Sequence, residues 1–217
     1  MEIIPGILEK DWQAIERKIE IVKPFAQVIH IDILDGKFAQ NSTFLDPKPF
    51  KKYSSDIFFE LHMMVENPIQ YLQSFADVGF KRFLGHVEKM PDISAFVAAA
   101  QLLGEVGLAI DGQTSLENVH IPYEDVDCFL FMTITAGFSG QSFTSSHLEK
   151  VKKAREASYK NDALEVLPIE VDGGITDKTI VEAKNAGATR FVSTSFLFGG
   201  QDPKKQYDIL NRKITRL

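Results

Sequence analysis

The chain of 217 residues has a single cysteine, Cys128, so no disulfide can form within it. Cys128 lies in an apolar, strand-like run and reads as a small buried hydrophobe. No stretch approaches the roughly 18 consecutive apolar residues of a spanning helix, which excludes a membrane protein of that kind. No basic run is present either. The 24 Lys and Arg and 30 Asp and Glu are interspersed, with a net charge of -6. That balance argues against nucleic acid and gives no membrane-surface signal. Met1-Glu-Ile-Ile-Pro5 lacks a charged lead and an apolar core, so no secretory signal is read and the cytoplasm is the expected location. No linker or low-complexity segment divides residues 1–217, which are expected to form one domain with a large core.

What is present is alternation. Short β-branched or aromatic runs fall at Glu2–Pro5, Gln27–Asp32, Ile57–Met63, Arg82–Val87, Val106–Ile110, Asp127–Ile134, Glu165–Asp172 and Thr189–Ser193. Helical spacing separates them. Trp12, Ile15, Ile19 and Val22 share one face, as do Leu148, Val151 and Ala154, and Ile180, Ala183 and Gly187. Pro68 marks a helix start, where its missing N–H costs little. Eight strand–helix units in this length predict an α/β fold, a single-domain (β/α)8 TIM barrel. A doubly wound open sheet has the same alternation, but no Gly-x-Gly-x-x-Gly turn follows the first strand.

Polar residues close several of the strands. His30 and Asp32 are two apart on one strand and so project from one face. His62 ends the next strand, about 5 Å away in a sheet. Asp172 ends a strand several units further on. The C-terminal ends of barrel strands build the active site, and two imidazoles with two carboxylates there make a metal site with an open position. Taken alone, His30 and Asp32 read as a hydrogen bond in a polar barrel layer; His62 and Asp172 shift the balance. Asp35-Gly36 reads as turn chemistry. His86 and Glu88 read either as partners that hold the metal ligands or as a rim hydrogen bond. His120 and His147 are expected in solvent. Gly137-Phe-Ser-Gly140-Gln141 and Gly173-Gly174 are glycine loops after the sixth and seventh strands. With Ser193-Thr194-Ser195 they form an expected phosphate site, where backbone N–H groups approach an anion closely.

The chain resembles the ribulose-phosphate 3-epimerase family over essentially its full length. The resemblance rests on His30-Ile-Asp32-Ile-Leu-Asp35-Gly36-Lys-Phe38, Leu61-His62-Met-Met-Val65, Met132-Thr-Ile-Thr-Ala-Gly137-Phe-Ser-Gly140-Gln141-Ser-Phe143 and Val171-Asp172-Gly173-Gly174, in family order. It implies one divalent metal ion, zinc or iron(II), held by His30, Asp32, His62 and Asp172. Such a donor set also accepts manganese or cobalt. The resemblance further implies that Asp32 and Asp172 are the catalytic acid and base, acting on a small-molecule sugar phosphate in a homo-oligomer. The expected reaction interconverts D-ribulose 5-phosphate and D-xylulose 5-phosphate in the pentose phosphate pathway.

Departures from the family pattern fall mostly on the substrate side. Leu34 stands for a common Met and Gly6 for a usual Ser. Ala39-Gln40-Asn41 stands for Val-Pro-Asn, Thr135-Ala136-Gly137 for an Asn-Pro-Gly run, and Ser139 for a Gly. Asp111-Gly-Gln-Thr114 lies where a Pro-Gly or Thr turn is common, and Thr194 takes the Gly of a Gly-Ser segment. Two alternatives therefore stand beside the main reading: an epimerase of another ketose phosphate, such as a hexulose 6-phosphate, and a barrel that binds sugar phosphate without turnover. A lyase or decarboxylase of related architecture would want Asp-x-Lys-x-x-Asp, and Asp32-Ile-Leu-Asp35 has no lysine.

Overall fold

A computed structural model describes residues 1–116, 125–160 and 167–215. His120 lies outside the described residues. Eight parallel strands close a barrel in chain order. They are β1 (Glu2–Ile7), β2 (Val28–Leu34), β3 (Phe58–Met64), β4 (Phe80–His86), β5 (Glu105–Ile110), β6 (Cys128–Met132), β7 (Ile169–Asp172) and β8 (Arg190–Ser193). The described helices are α1 (Trp12–Val22), α2 (Ile69–Ala76), α3 (Ile93–Gln101), α4 (Leu148–Lys160), α5 (Thr179–Asn185), α6 (Ser195–Gly199) and α7 (Pro203–Thr215). None of them is long and apolar enough to cross a membrane.

Local chemistry sets the helix boundaries. Asp11 caps α1 by accepting from Ala14 N at 2.8 Å, and Asp92 caps α3 by accepting from Ala95 N at 2.9 Å. Each cap supplies a partner to one of the unpaired N–H groups of a first turn. Ile15, Ile19 and Val22 of α1 are buried, as their spacing predicts.

Period-two alternation divides the strands between two cores. Ile29, Ile31 and Ile33 of β2, with Phe59, Leu61 and Met63 of β3, face outward into the helix-covered core. Leu34, Met64, Leu84, Ala109, Cys128, Leu130 and Met132 pack inside the barrel. Cys128 is fully buried, and burial pushes its thiol pKa up. On β2, β3, β4 and β7 the same alternation buries polar residues: His30 and Asp32, Glu60 and His62, Arg82 and His86, and Glu170 and Asp172. In register, His30 sits beside Glu60 and Glu60 beside Arg82, one step below the pair Asp32 and His62. β6 stops at Met132, two residues short of the sequence expectation. Beyond it Thr133 stays tied to β7: its backbone N donates to Asp172 O at 2.7 Å, and its hydroxyl donates to Asp172 O at 2.9 Å and Gly173 O at 2.5 Å, fastening the end of β7.

Candidate active site

His30, Asp32, His62 and Asp172 converge at the C-terminal mouth, each offering one ligand atom within 4.8 Å of the others. Asp32 Oδ1 lies 2.8 Å from His62 Nδ1 and 3.2 Å from His30 Nε2. Asp172 Oδ2 approaches from the other side, 3.7 Å from His62 Nδ1 and 4.0 Å from His30 Nε2. Both histidines are fully buried behind the two carboxylates.

The environments push the two carboxyls apart. Burial would raise Asp32, but the His30 charge and hydrogen bonds from His30 and His62 outweigh it and hold Asp32 well below the usual range. Burial raises Asp172 to about 8, and the negative charge of Asp32 adds to the shift. The surroundings thus push the two carboxyls in opposite directions, Asp32 toward its charged form and Asp172 toward its neutral one. Burial also lowers His62 to about 4, whereas His30 is driven upward because Asp32, Glu170 and Glu60 overcome its burial.

Behind each histidine stands a hydrogen-bonded support. His30 Nδ1 lies 2.6 Å from Glu60 Oε1 and 3.4 Å from Glu170 Oε1. Two carboxylates flank Nδ1 and hold its proton, so Nε2, which faces Asp32, is the nitrogen that would ligate an ion once it gives up its own proton. Glu60 is held in turn by Arg82 Nη1 at 2.5 Å, and Arg82 Nε donates to Glu105 at 2.7 Å. The Glu170 carboxylate makes no hydrogen bond among the described residues, and burial with the Glu60 charge raises it to about 7. His62 Nε2 lies 2.9 Å from His86 Nε2, and His86 Nδ1 lies 2.9 Å from Glu88 Oε2. With an ion on His62 Nδ1 in place of its bond to Asp32, His62 Nε2–H would donate to His86 Nε2, whose Nδ1–H donates to Glu88. Glu88 also accepts from Asp111 N at 2.7 Å. Glu88→Gln is therefore expected to weaken divalent-metal affinity about 10- to 100-fold. Metal titration by calorimetry reads this directly, and unchanged affinity would show that the His86–Glu88 pair is only a rim contact.

A cleft with about 420 Å³ of empty space opens over the two aspartates. Asp32 and Asp172 line it, with Gly137 and Gly140 from the loop after β6. Gly173 and Gly174 line it from the loop after β7, and Thr194 and Ser195 from the end of β8. Gly174 has φ +65°, and a Cβ there would meet Phe143 N at 2.8 Å, so loop-on-loop packing also demands glycine. Gln141 is placed differently from its loop neighbours. Its amide donates to Thr135 O at 2.7 Å and Phe138 O at 2.8 Å, bracing the loop from within. Asn41 Nδ2 ties this loop to the one after β2 through Gly137 O at 2.8 Å. Asp35 is a loop cap, accepting from Lys37 N, Phe38 N and Glu66 N at 2.9–3.1 Å.

His147 corrects its expectation. It is buried, at 8 % exposure, because Gly112 leaves a slot that a Cβ would close against the His147 ring. Sequence reading also passed over Glu60, Glu170, Arg82 and Thr133. Glu60 and Glu170 stand two residues before His62 and Asp172, so period-two alternation was a usable signal for both. Nothing local marks Arg82 or Thr133.

The four-residue set fits a divalent cation. It is buried and made of imidazole nitrogens and carboxylate oxygens, its four imidazole–carboxylate separations run from 2.8 to 4.0 Å, and all four donors lie within 4.8 Å of one another. A tetrahedron with bonds of about 2.0 Å has edges of about 3.3 Å. Known proteins agree on the kind of chain this is. The family model described as "Ribulose-phosphate 3 epimerase family" matches residues 2–198. A ribulose-phosphate 3-epimerase of Bacillus subtilis is 31% identical over 209 residues, 94% of this chain and 95% of its own. One from Chlamydia pneumoniae is 37% identical over 175 residues, 78% of this chain and 75% of its own. The solved 3-hexulose-6-phosphate synthase of Salmonella typhimurium superimposes with a TM-score of 0.73 at 15% identity, covering 99% of this chain and 98% of that one, a likeness of fold. A closed barrel, a buried histidine–aspartate quartet at its mouth and these similarities over most of the chain lead to one conclusion: the chain belongs to the ribulose-phosphate 3-epimerase family, enzymes of the isomerase class that act on carbohydrates.

Proposed function

We propose that this protein interconverts D-ribulose 5-phosphate and D-xylulose 5-phosphate by moving a proton off and onto carbon 3. The observation that carries the reading is the pair Asp32 and Asp172, which line one cleft from the ends of β2 and β7 and whose surroundings push their carboxyls in opposite directions. Inverting a carbon beside a ketone requires a base on one face and an acid on the other. Asp32, ionised, takes the proton from one face. Asp172, protonated, returns one to the opposite face, and the two exchange roles in the reverse direction. Burial of His30 and His62 behind them keeps both carboxyls aimed into the cleft and away from bulk water.

His30, Asp32, His62 and Asp172 would hold the divalent ion, zinc or iron(II) in the leading reading and manganese or cobalt as alternatives. When bound, it supplies a Lewis acid for the oxygens beside the reacting carbon. The backbone around Gly173, Gly174 and Ser195 is the phosphate-holding side of the cleft, with Gly137 and Gly140 closing over the sugar. The same reading assigns the protein to the pentose phosphate pathway in the cytoplasm, as a homo-oligomer. A hexulose 6-phosphate is the second substrate to try, because Gly6 and Thr194 alter the cleft on its β1–β8 side.

Metal-loaded protein mixed with D-ribulose 5-phosphate in deuterium oxide is the test. Proton NMR should show xylulose 5-phosphate appearing with deuterium at carbon 3. Epimerisation without deuterium would sink the proton-transfer scheme. Failure with the pentulose and success with a hexulose 6-phosphate would move the substrate and keep the mechanism.

A further inference from the structure

Gly6 and Thr194 compete for one place. Gly6 lies in β1, and its φ is not among the positive values that reserve a position for glycine. Glycine inside a strand weakens it and marks a close approach by something else. What approaches is Thr194. A Cβ on residue 6 would overlap Thr194 Oγ1 and lie 2.8 Å from Val192 Cγ1. Thr194 stands at the N-cap of α6, where a threonine hydroxyl ordinarily accepts from the helix N–H groups, yet its side chain makes no such bond. It turns toward β1 instead and lines the cleft beside Asp172, Gly174 and Ser195.

We infer that Thr194 is a specificity-determining residue: its hydroxyl binds an oxygen of the ketose phosphate, and Gly6 is the space that admits it. The inference rests on the proposed sugar-phosphate reading and names the side chain that acts at the β1–β8 seam. The substrate oxygen is either phosphoryl or hydroxyl, since a threonine O–H donates to both. Position 6 and position 194 can supply a hydroxyl to this seam only one at a time. A serine at residue 6 is therefore compatible with glycine at residue 194 and incompatible with threonine there.

Steady-state kinetics and thermal unfolding of the metal-loaded protein test this. Thr194→Val, equal in shape, should raise KM for D-ribulose 5-phosphate roughly tenfold with kcat changed much less, and Thr194→Ser should recover most of that loss. Gly6→Ser alone should lower both Tm and activity, whereas Gly6→Ser with Thr194→Gly should restore both, a coupling of opposite sign to either single change. Inhibition by inorganic phosphate distinguishes the two oxygens: it weakens in Thr194→Val when the contact is phosphoryl and holds when it is a sugar hydroxyl. An unchanged KM in Thr194→Val, or a double variant no better than Gly6→Ser, overturns the inference while leaving the epimerase reading intact. A wild-type protein without turnover of D-ribulose 5-phosphate overturns both.

Discussion

Asp172→Asn should fold with an intact barrel and lose about a thousandfold or more in turnover. Positioned acid–base groups contribute about 100- to 10,000-fold to rates, and an amide can neither take nor give the proton at neutral pH. The side chain keeps its volume, and the strand end stays fastened, because Thr133 binds the Asp172 backbone rather than its carboxyl. Asp32→Asn should be equally inactive for the same reason. The sharper readout is isotope exchange. With Asp172 disabled, Asp32 still reaches one face of carbon 3, so one epimer should exchange its proton with solvent without inverting; Asp32→Asn should exchange only the other epimer. Metal content measured alongside separates lost chemistry from lost metal. Brisk epimerisation by either variant would end the two-base scheme.

Arg82→Met should be the most destabilising single change in the barrel floor. Arg82 is 4 % exposed and bridges Glu60, wholly buried, to Glu105. Its removal leaves the Glu60 charge with His30 alone. Breaking a buried ion pair costs about 3–5 kcal/mol. In a chain of this size each kcal/mol shifts Tm by about 2–4 °C, so a fall of roughly 6–20 °C is expected by thermal unfolding. Adding Glu60→Gln to the variant should recover part of that loss. The pH dependence has a definite sign. Burial raises the Glu60 pKa, but His30 and Arg82 outweigh it and bring the group down to about 2 from its ordinary 4.5. A carboxyl lowered on folding stabilises the protein above pH 4.5, and that contribution is lost as pH falls toward 2. In Arg82→Met the loss should begin at higher pH. A Tm within 2 or 3 °C of wild type, roughly the shift of a single kcal/mol, would mean that the pair contributes little net stability.

The supporting layer was only half legible beforehand. Glu60 and Glu170 repeat the two-residue spacing of His30 and Asp32, so alternation alone places them inside the barrel. That Glu60 would face His30 and Arg82 depends on the register of β2, β3 and β4, which is a property of paired strands. Gln141 shows the opposite case. Its position in a glycine loop suggested contact with substrate, yet the tight turn brings two of the loop's own carbonyls within reach of its amide. His147 looked solvated because nothing in its neighbours along the chain reveals the slot left by Gly112, 35 positions earlier.

Sequence by itself determined the alternation of strand and helix, the inward and outward faces, and the polar residues closing β2, β3 and β7. These follow from local periodicity, which each segment carries whatever surrounds it. Tertiary structure decided the pairings: Asp32 against Asp172, His62 against His86, Gly6 against Thr194. Each joins segments distant in the chain, and only barrel closure brings β8 back to β1 and sets one carboxyl near another in a buried place where charges are weakly screened.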